Sequence, residues 1–165
     1  MADHMRDALG KMLDQYDERQ RGDLARVQQA KDEDAAFLTR FAELRRDVVK
    51  PVFESAAALL KERGHEVRIS EEDFAADRRG KVTEAGISIQ FLPAGMPAAA
   101  AEADDHARSL SITTRHYNKT VWINAGVAMN AGGIAGSKGA YQLEKVSRQL
   151  VEEELLKFVG TIVAA

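Results

Sequence analysis

The run Gly132-Gly133-Ile134-Ala135-Gly136-Ser137-Lys138-Gly139 combines glycines, a hydroxyl and an ammonium group in eight residues. Glycine lets a backbone approach a ligand closely, and free N–H groups at a helix start attract anions. If a helix opens just after this run, Gly136, Ser137 and Lys138 form an anion-binding set. That arrangement suits a small-ligand-binding enzyme or sensor, with Lys138 as the charged contact. The spacing departs from the phosphate loop G-x-x-x-x-G-K-[ST], since Ser137 precedes Lys138 and Gly139 follows it. It also misses G-x-S-x-G, because Ala135 stands at the first glycine position. A mobile connector between two elements is the more ordinary reading of such a composition.

Other chemistry-bearing residues are scattered. His4, His65, His106 and His116 do not pair with one another at metal-ligand spacing. Asp104-Asp105-His106 are adjacent in a loop and lack further ligands, and Glu71-Glu72-Asp73 with Asp77 misses the calcium-loop pattern. No metal and no cofactor is expected. Nothing in the spacing of serine, histidine and carboxylates singles out a triad or an acid–base pair. The reading therefore leans away from an enzyme.

Arg115-His116-Tyr117-Asn118-Lys119, with Arg108 nearby and Trp122 just beyond, is the best nucleic-acid candidate. RNA-binding sheets stack bases on two or three aromatics, and only one stands here. With a net charge of -3, nucleic acid is disfavoured as a partner. Trp122 is more telling as a protein contact, because large aromatics among small polar residues mark docking surfaces.

The elements that position these residues follow from periodicity. Phe37, Phe41, Leu44, Val48, Val52, Ala56 and Leu59 step by three and four, so Phe37–Gly64 reads as the central helix. Lys31–Asp34 marks its start, with Asp32 or Asp34 as cap. Pro51 predicts a kink near Val49–Lys50, and Gly64 after Lys61-Glu62-Arg63 predicts its end. Residues 4–30 carry a narrow stripe, Met5, Leu9, Met12, Leu13, Tyr16, Leu24 and Val27, interrupted by Gly10 and Gly22. Such a stripe needs a partner to be stable.

Strands are predicted at His65–Ser70, Val82–Leu92, Ala107–Arg115 and Thr120–Ala125, with charged loop over 71–81 and a short helical turn at Ala98–Ala103. The last two strands form a hairpin turning at His116–Lys119. An even loop puts Leu110, Ile112, Val121 and Ile123 on one face, and Ser109, Ser111, Thr113, Trp122 and Asn124 on the other. A closing helix is expected over 140–163, with Leu143, Val146, Leu150, Leu155, Phe158, Val159 and Ile162 inward and Glu152–Glu154 wet.

The fold is thus α+β: an antiparallel sheet of about four strands, one face covered by a kinked central helix and the C-terminal helix, plus an N-terminal helix. Residues 1–31 form a helical appendage and residues 32–165 one domain. The element order is similar in layout to small dimeric secretion chaperones.

Among 165 residues, 45% are hydrophobic and 30% charged, which supports a packed core. Absence of cysteine removes thiol nucleophiles, disulfides and Cys-ligated zinc, and fits a reducing compartment. MADHMRDALG has no apolar signal core, and no apolar run reaches the ~20 residues of a membrane span. A cytoplasmic, non-catalytic adaptor that binds a protein client and forms a homodimer is expected. Its contacts would be Leu13 and Tyr16 on the first helix, and Trp122, Thr113 and Asn124 on the polar sheet face.

Overall fold

The computed structural model describes residues 2–95, 108–128, 134–135 and 138–164. The expectations at Ala98–Ala103, at Asp104–His106 and at Gly136 and Ser137 lie outside these residues. Two compact units divide the chain, Met1–Ala36 and Phe37–Ala165.

Helix α1 runs without interruption over Ala2–Leu44. The expected new start at Lys31–Asp34 does not occur. Instead of capping a helix, Asp32 accepts from Gln28 Nε2 at 3.0 Å, and Glu33 accepts from Gln29 Nε2 at 3.2 Å. These are i,i+4 pairs that support the helix they lie on. Within the first unit the stripe Met5, Leu9, Met12, Leu13, Tyr16, Leu24 and Val27 is exposed, from 48% at Leu9 to 67% at Leu24.

In the second unit α1 buries Phe37 and Phe41 in its last turns. A π turn, Arg45–Val49, follows, and Lys50 N–H donates back to the Arg45 carbonyl. Helix α2, Lys50–Glu62, then starts with Pro51 in its first turn. Pro51 has no N–H to give and crowds the preceding carbonyls, so the backbone widens by one residue just before it. The irregularity expected from Pro51 is this wider turn. Helix α2 ends as KERG predicts. Gly64 takes φ +89°, Gly64 N–H donates to Lys61 O at 3.0 Å, and His65 N–H donates to Leu60 O at 3.0 Å.

The strands are β1 Glu66–Glu72, β2 Ala75–Ala76, β3 Val82–Thr83, β4 Gly86–Leu92, β5 Arg108–Arg115, β6 Thr120–Ala128, β7 Ile134–Ala135 and β8 Lys138–Gln142. The main sheet is antiparallel in the order β1-β4-β5-β6, with β7 and β8 both pairing β6. Two expectations change here. The charged loop over 71–81 extends β1 and holds β2, whose hairpin to β3 turns on Asp77. The Asp77 carboxylate accepts from the backbone N–H of Arg79 and Lys81 at 2.9 and 2.8 Å. The single strand foreseen at Val82–Leu92 is broken at Glu84-Ala85 into β3 and β4.

The closing helix also differs. Lys138–Gln142 is a strand, Leu143–Lys145 a 3₁₀ turn, and helix α3 spans Arg148–Ala164. Ser147 sets its start, since Leu150 N–H donates to Ser147 Oγ at 3.1 Å. The helical spacing of Leu143 and Val146 predicts helix over residues 140–147. The unpaired edge of β6 at Thr120–Asn124 takes them partly into the sheet instead. Val151, absent from the expected inner set, is fully buried, and Glu154 on the expected wet side is buried beside Lys157 Nζ at 3.7 Å.

The register then sorts side chains as period two requires. Ile87, Ile89, Phe91, Leu110, Ile112, Val121 and Ile123 are buried on one face. Phe41, Val49 and Phe53 from the α1–α2 side and Val151, Leu155 and Phe158 from α3 belong to the same core cluster. One face is thereby covered by helices, and the other is left polar.

Arg45 locks this arrangement from the π turn. Its guanidinium donates to the carbonyls of Glu72 at 2.9 Å and Gly86 at 3.3 Å, and pairs with Asp73 at 2.8 Å and Glu71 at 3.5 Å. One side chain, 14% exposed, thus holds the end of β1 and the start of β4.

Candidate functional site

The polar face is built from rows that the strand register dictates. Glu72, Gly86, Thr113 and Trp122 stand in line across β1, β4, β5 and β6. Ser70, Ser88, Ser111 and Asn124 form the next row, and Arg68, Gln90 and Ser109 the one after. Ser70 and Ser88 share a hydrogen bond of 2.7 Å between their hydroxyls. The resulting floor is hydroxyl-rich, with Arg68 and Glu72 on the outer strand, Arg115 at the far end of β5 and Lys138 in register beyond Asn124. Two concavities meet on it at Ser111 and Thr113, of about 340 Å³ over β1–β5 and about 600 Å³ toward Trp122.

The second concavity holds the aromatic cluster. Arg115 lies diagonally across the hairpin from Trp122 on the same face. Its guanidinium carbon sits 3.6 Å from the Trp122 ring centroid, a cation–π contact, and Nη1 donates to Tyr117 Oη at 3.3 Å. No carboxylate pairs with Arg115 among the described residues. Trp122 Nε1 is buried and has no hydrogen-bond acceptor among them. A buried donor left unpaired is disfavoured by roughly 1–3 kcal/mol. Two adjacent donors, one cationic and one neutral, therefore face a shortage of acceptors.

Glu84, on the same rim, is already occupied. It accepts from Thr114 Oγ1 at 3.1 Å and from the His116 backbone N–H at 3.3 Å, and His116 Nδ1 also lies against it. The His116 ring packs edge-on against Phe74 at 4.9 Å. This group pins the hairpin turn, whose last residue Lys119 adopts φ +55°. Sequence reasoning missed it, because Glu84 and His116 are 32 residues apart and meet only through the β4–β5 register. The one local signal was a carboxylate set between Val82-Thr83 and the apolar run of β4.

The expected contact residues fall in both units. Thr113, Trp122 and Asn124 come together on the polar face. Leu13 and Tyr16 lie on the exposed stripe of the first unit. Lys138 is a strand residue opposite Asn124. The last helix opens ten residues later, at Arg148, and Gly136 and Ser137, expected beside Lys138 in an anion-binding set, lie outside the described residues. Of the histidines, His65 has a structural role: its Nδ1 accepts from Ala94 N–H at 2.9 Å, and its ring meets Phe91 edge-on. Among the described residues no group of three or more His, Asp or Glu is placed to hold a metal ion. Among them, too, no helix is long and apolar enough to cross a membrane.

No protein-family model, curated protein or solved structure matches this chain, so the likeness of layout to secretion chaperones carries no argument about function.

Proposed function

We propose that this chain is a non-catalytic protein-binding protein, an adaptor that self-associates as a homodimer and receives a client on its polar sheet face. The observation that carries the reading is Trp122. A large aromatic stands on the polar sheet face among Ser, Thr and Asn, and its indole N–H has no acceptor among the described residues. Such residues dominate protein interfaces because they bury much area and still offer a polar contact. The exposed stripe on α1 supports the self-association part. Seven large apolar side chains on one narrow helix face gain most from a second copy of the same surface. Absence of cysteine is compatible with a cytoplasmic setting.

The test uses two variants and two readouts. Leu13→Asp with Tyr16→Asp places two charges in the middle of the stripe, and sedimentation equilibrium reads the mass. Trp122→Ala removes the face, and retention of proteins from source-cell lysate is compared with the unaltered chain. The reading expects the first variant to be monomeric and the second to lose its retained client. Retention unaffected by Trp122→Ala rules out this face as the client site.

A further inference from the structure

We infer that the concavity at Arg115, Tyr117 and Trp122 is a receptor for a carboxylate side chain of a peptide segment in the client. This rests on the protein-binding reading above and names the chemistry that the face selects.

Three features define the occupant. The first is the pair of donors. Arg115 is held on the Trp122 ring by stacking rather than by a carboxylate, and with Nη1 donating to Tyr117 Oη, the other N–H groups of its planar fork are left for an incoming acceptor. Trp122 Nε1–H adds a neutral donor beside it. A carboxylate has two oxygens and can take both. Because Nε1 is covered in this structure, full engagement requires the rim to shift. Tyr117, 64% exposed, is the side chain to move, and in moving it gives up the hydrogen bond that its hydroxyl accepts from Arg115 Nη1.

The second feature is the rest of the floor. Ser111, Thr113 and Asn124 line the same concavity and offer donors and acceptors without charge. That suits the amides of a peptide backbone flanking the acidic residue.

The third is Glu84, whose carboxylate belongs to the same lining. Its oxygens already accept from Thr114 and His116, so it supplies no further partner for Arg115. Its charge opposes a phosphodiester chain or another polyanion more than it opposes a single carboxylate. The site is therefore matched to an isolated Asp or Glu between uncharged residues.

Trp122 is the only tryptophan in the chain, so a ¹⁵N-labelled sample has a single indole N–H signal. The full chain is titrated to millimolar concentration with acetyl-Gly-Gly-Glu-Gly-Gly-amide. Parallel samples receive the Gln counterpart or inorganic phosphate. The expected result is a saturable downfield movement of the indole signal with the Glu peptide, and little movement with the other two. Arg115→Gln is expected to weaken the Glu-peptide response at least tenfold, while backbone signals outside the hairpin show an intact fold. Arg115→Lys, which keeps the charge but loses the fork, gives a second reading and is expected to weaken it several-fold. An unmoved indole signal with the Glu peptide overturns the inference, as does an equal response to the Gln peptide. An equal response to phosphate replaces the carboxylate assignment with general anion binding and also overturns it. Loss of the inference leaves the lysate retention and mass measurements above unaffected, so the two failures are separable.

Discussion

Removing the Arg45 guanidinium tests how the π turn holds the sheet. Arg45→Met keeps the aliphatic stem and deletes the charge. Two carbonyl acceptors, Glu72 O at 2.9 Å and Gly86 O at 3.3 Å, lose a charged donor. Hydrogen bonds of this kind contribute about 1.5–3 kcal/mol each in a net sense. The ion pairs contribute less. Asp73 is 87% exposed, so its pair with Arg45 is screened and adds about 0–1 kcal/mol. Relief from holding a mostly buried guanidinium offsets part of the loss. The expected destabilisation is therefore about 2–3 kcal/mol, since the backbone bonds outweigh the ion pairs and desolvation removes part of the sum. With a urea slope of about 1–3 kcal/mol/M, the midpoint should fall by about 0.7–3 M. Far-UV circular dichroism and Trp122 fluorescence should report the same transition. Asp73→Asn should cost no more than about 1 kcal/mol. A midpoint for Arg45→Met within experimental error of the unaltered chain would refute the reasoning. So would an Asp73→Asn variant as unstable as Arg45→Met, because the surface charge would then be the dominant partner.

Ser147→Ala should destabilise the second unit by about 1 kcal/mol in the same denaturation assay, through loss of the cap on Leu150 N–H. Gly10→Ala and Gly22→Ala should each stabilise α1 by about 1 kcal/mol and raise helical circular dichroism, since nothing stands within 4 Å of either added methyl group. Asp47 is held below the usual carboxylate range by its hydrogen bond from Arg46, and Glu144 by its own backbone N–H and then by Arg40. Groups whose folded values are depressed stabilise above the unfolded value and lose that contribution as pH falls through the folded value. A carboxylate ¹³C titration should therefore show both protonating below exposed Asp and Glu of the same chain, and high salt should move them back toward the usual range.

The local signals that proved reliable were those with short range. KERG set the end of α2, because the glycine, the last helical carbonyls and the φ > 0 position all lie within six residues. The hairpin of β5 and β6 was legible for the same reason. A four-residue loop and alternation of period two place Trp122 beside Thr113 before any tertiary contact is known. The diagonal from Arg115 to Trp122 lies inside that same hairpin.

What stayed hidden depended on partners distant in sequence. Lys138–Gln142 contains Gly139 and Ala140, which have little strand preference. It becomes a strand because β6 offers an edge and the Tyr141 ring lies over Gly139, where an added Cβ would approach that ring to 2.7 Å. Arg45 carries no local signal of its role, because its acceptors come from β1 and β4. Asp32 looked like a cap, and Gln28 offered it a partner that keeps the helix going. Of the candidate site, the face and its aromatic were readable, whereas the Glu84–His116 anchor required the sheet to exist first.

The most direct test of the adaptor reading is the mass of the assembled chain by sedimentation equilibrium, from low micromolar to high micromolar concentration, for the unaltered chain and for Leu13→Asp with Tyr16→Asp. Self-association through the exposed stripe of α1 predicts twice the chain mass for the first and a single chain mass for the second. A single chain mass for the unaltered protein at every concentration, or an unchanged dimer in the variant, would contradict it.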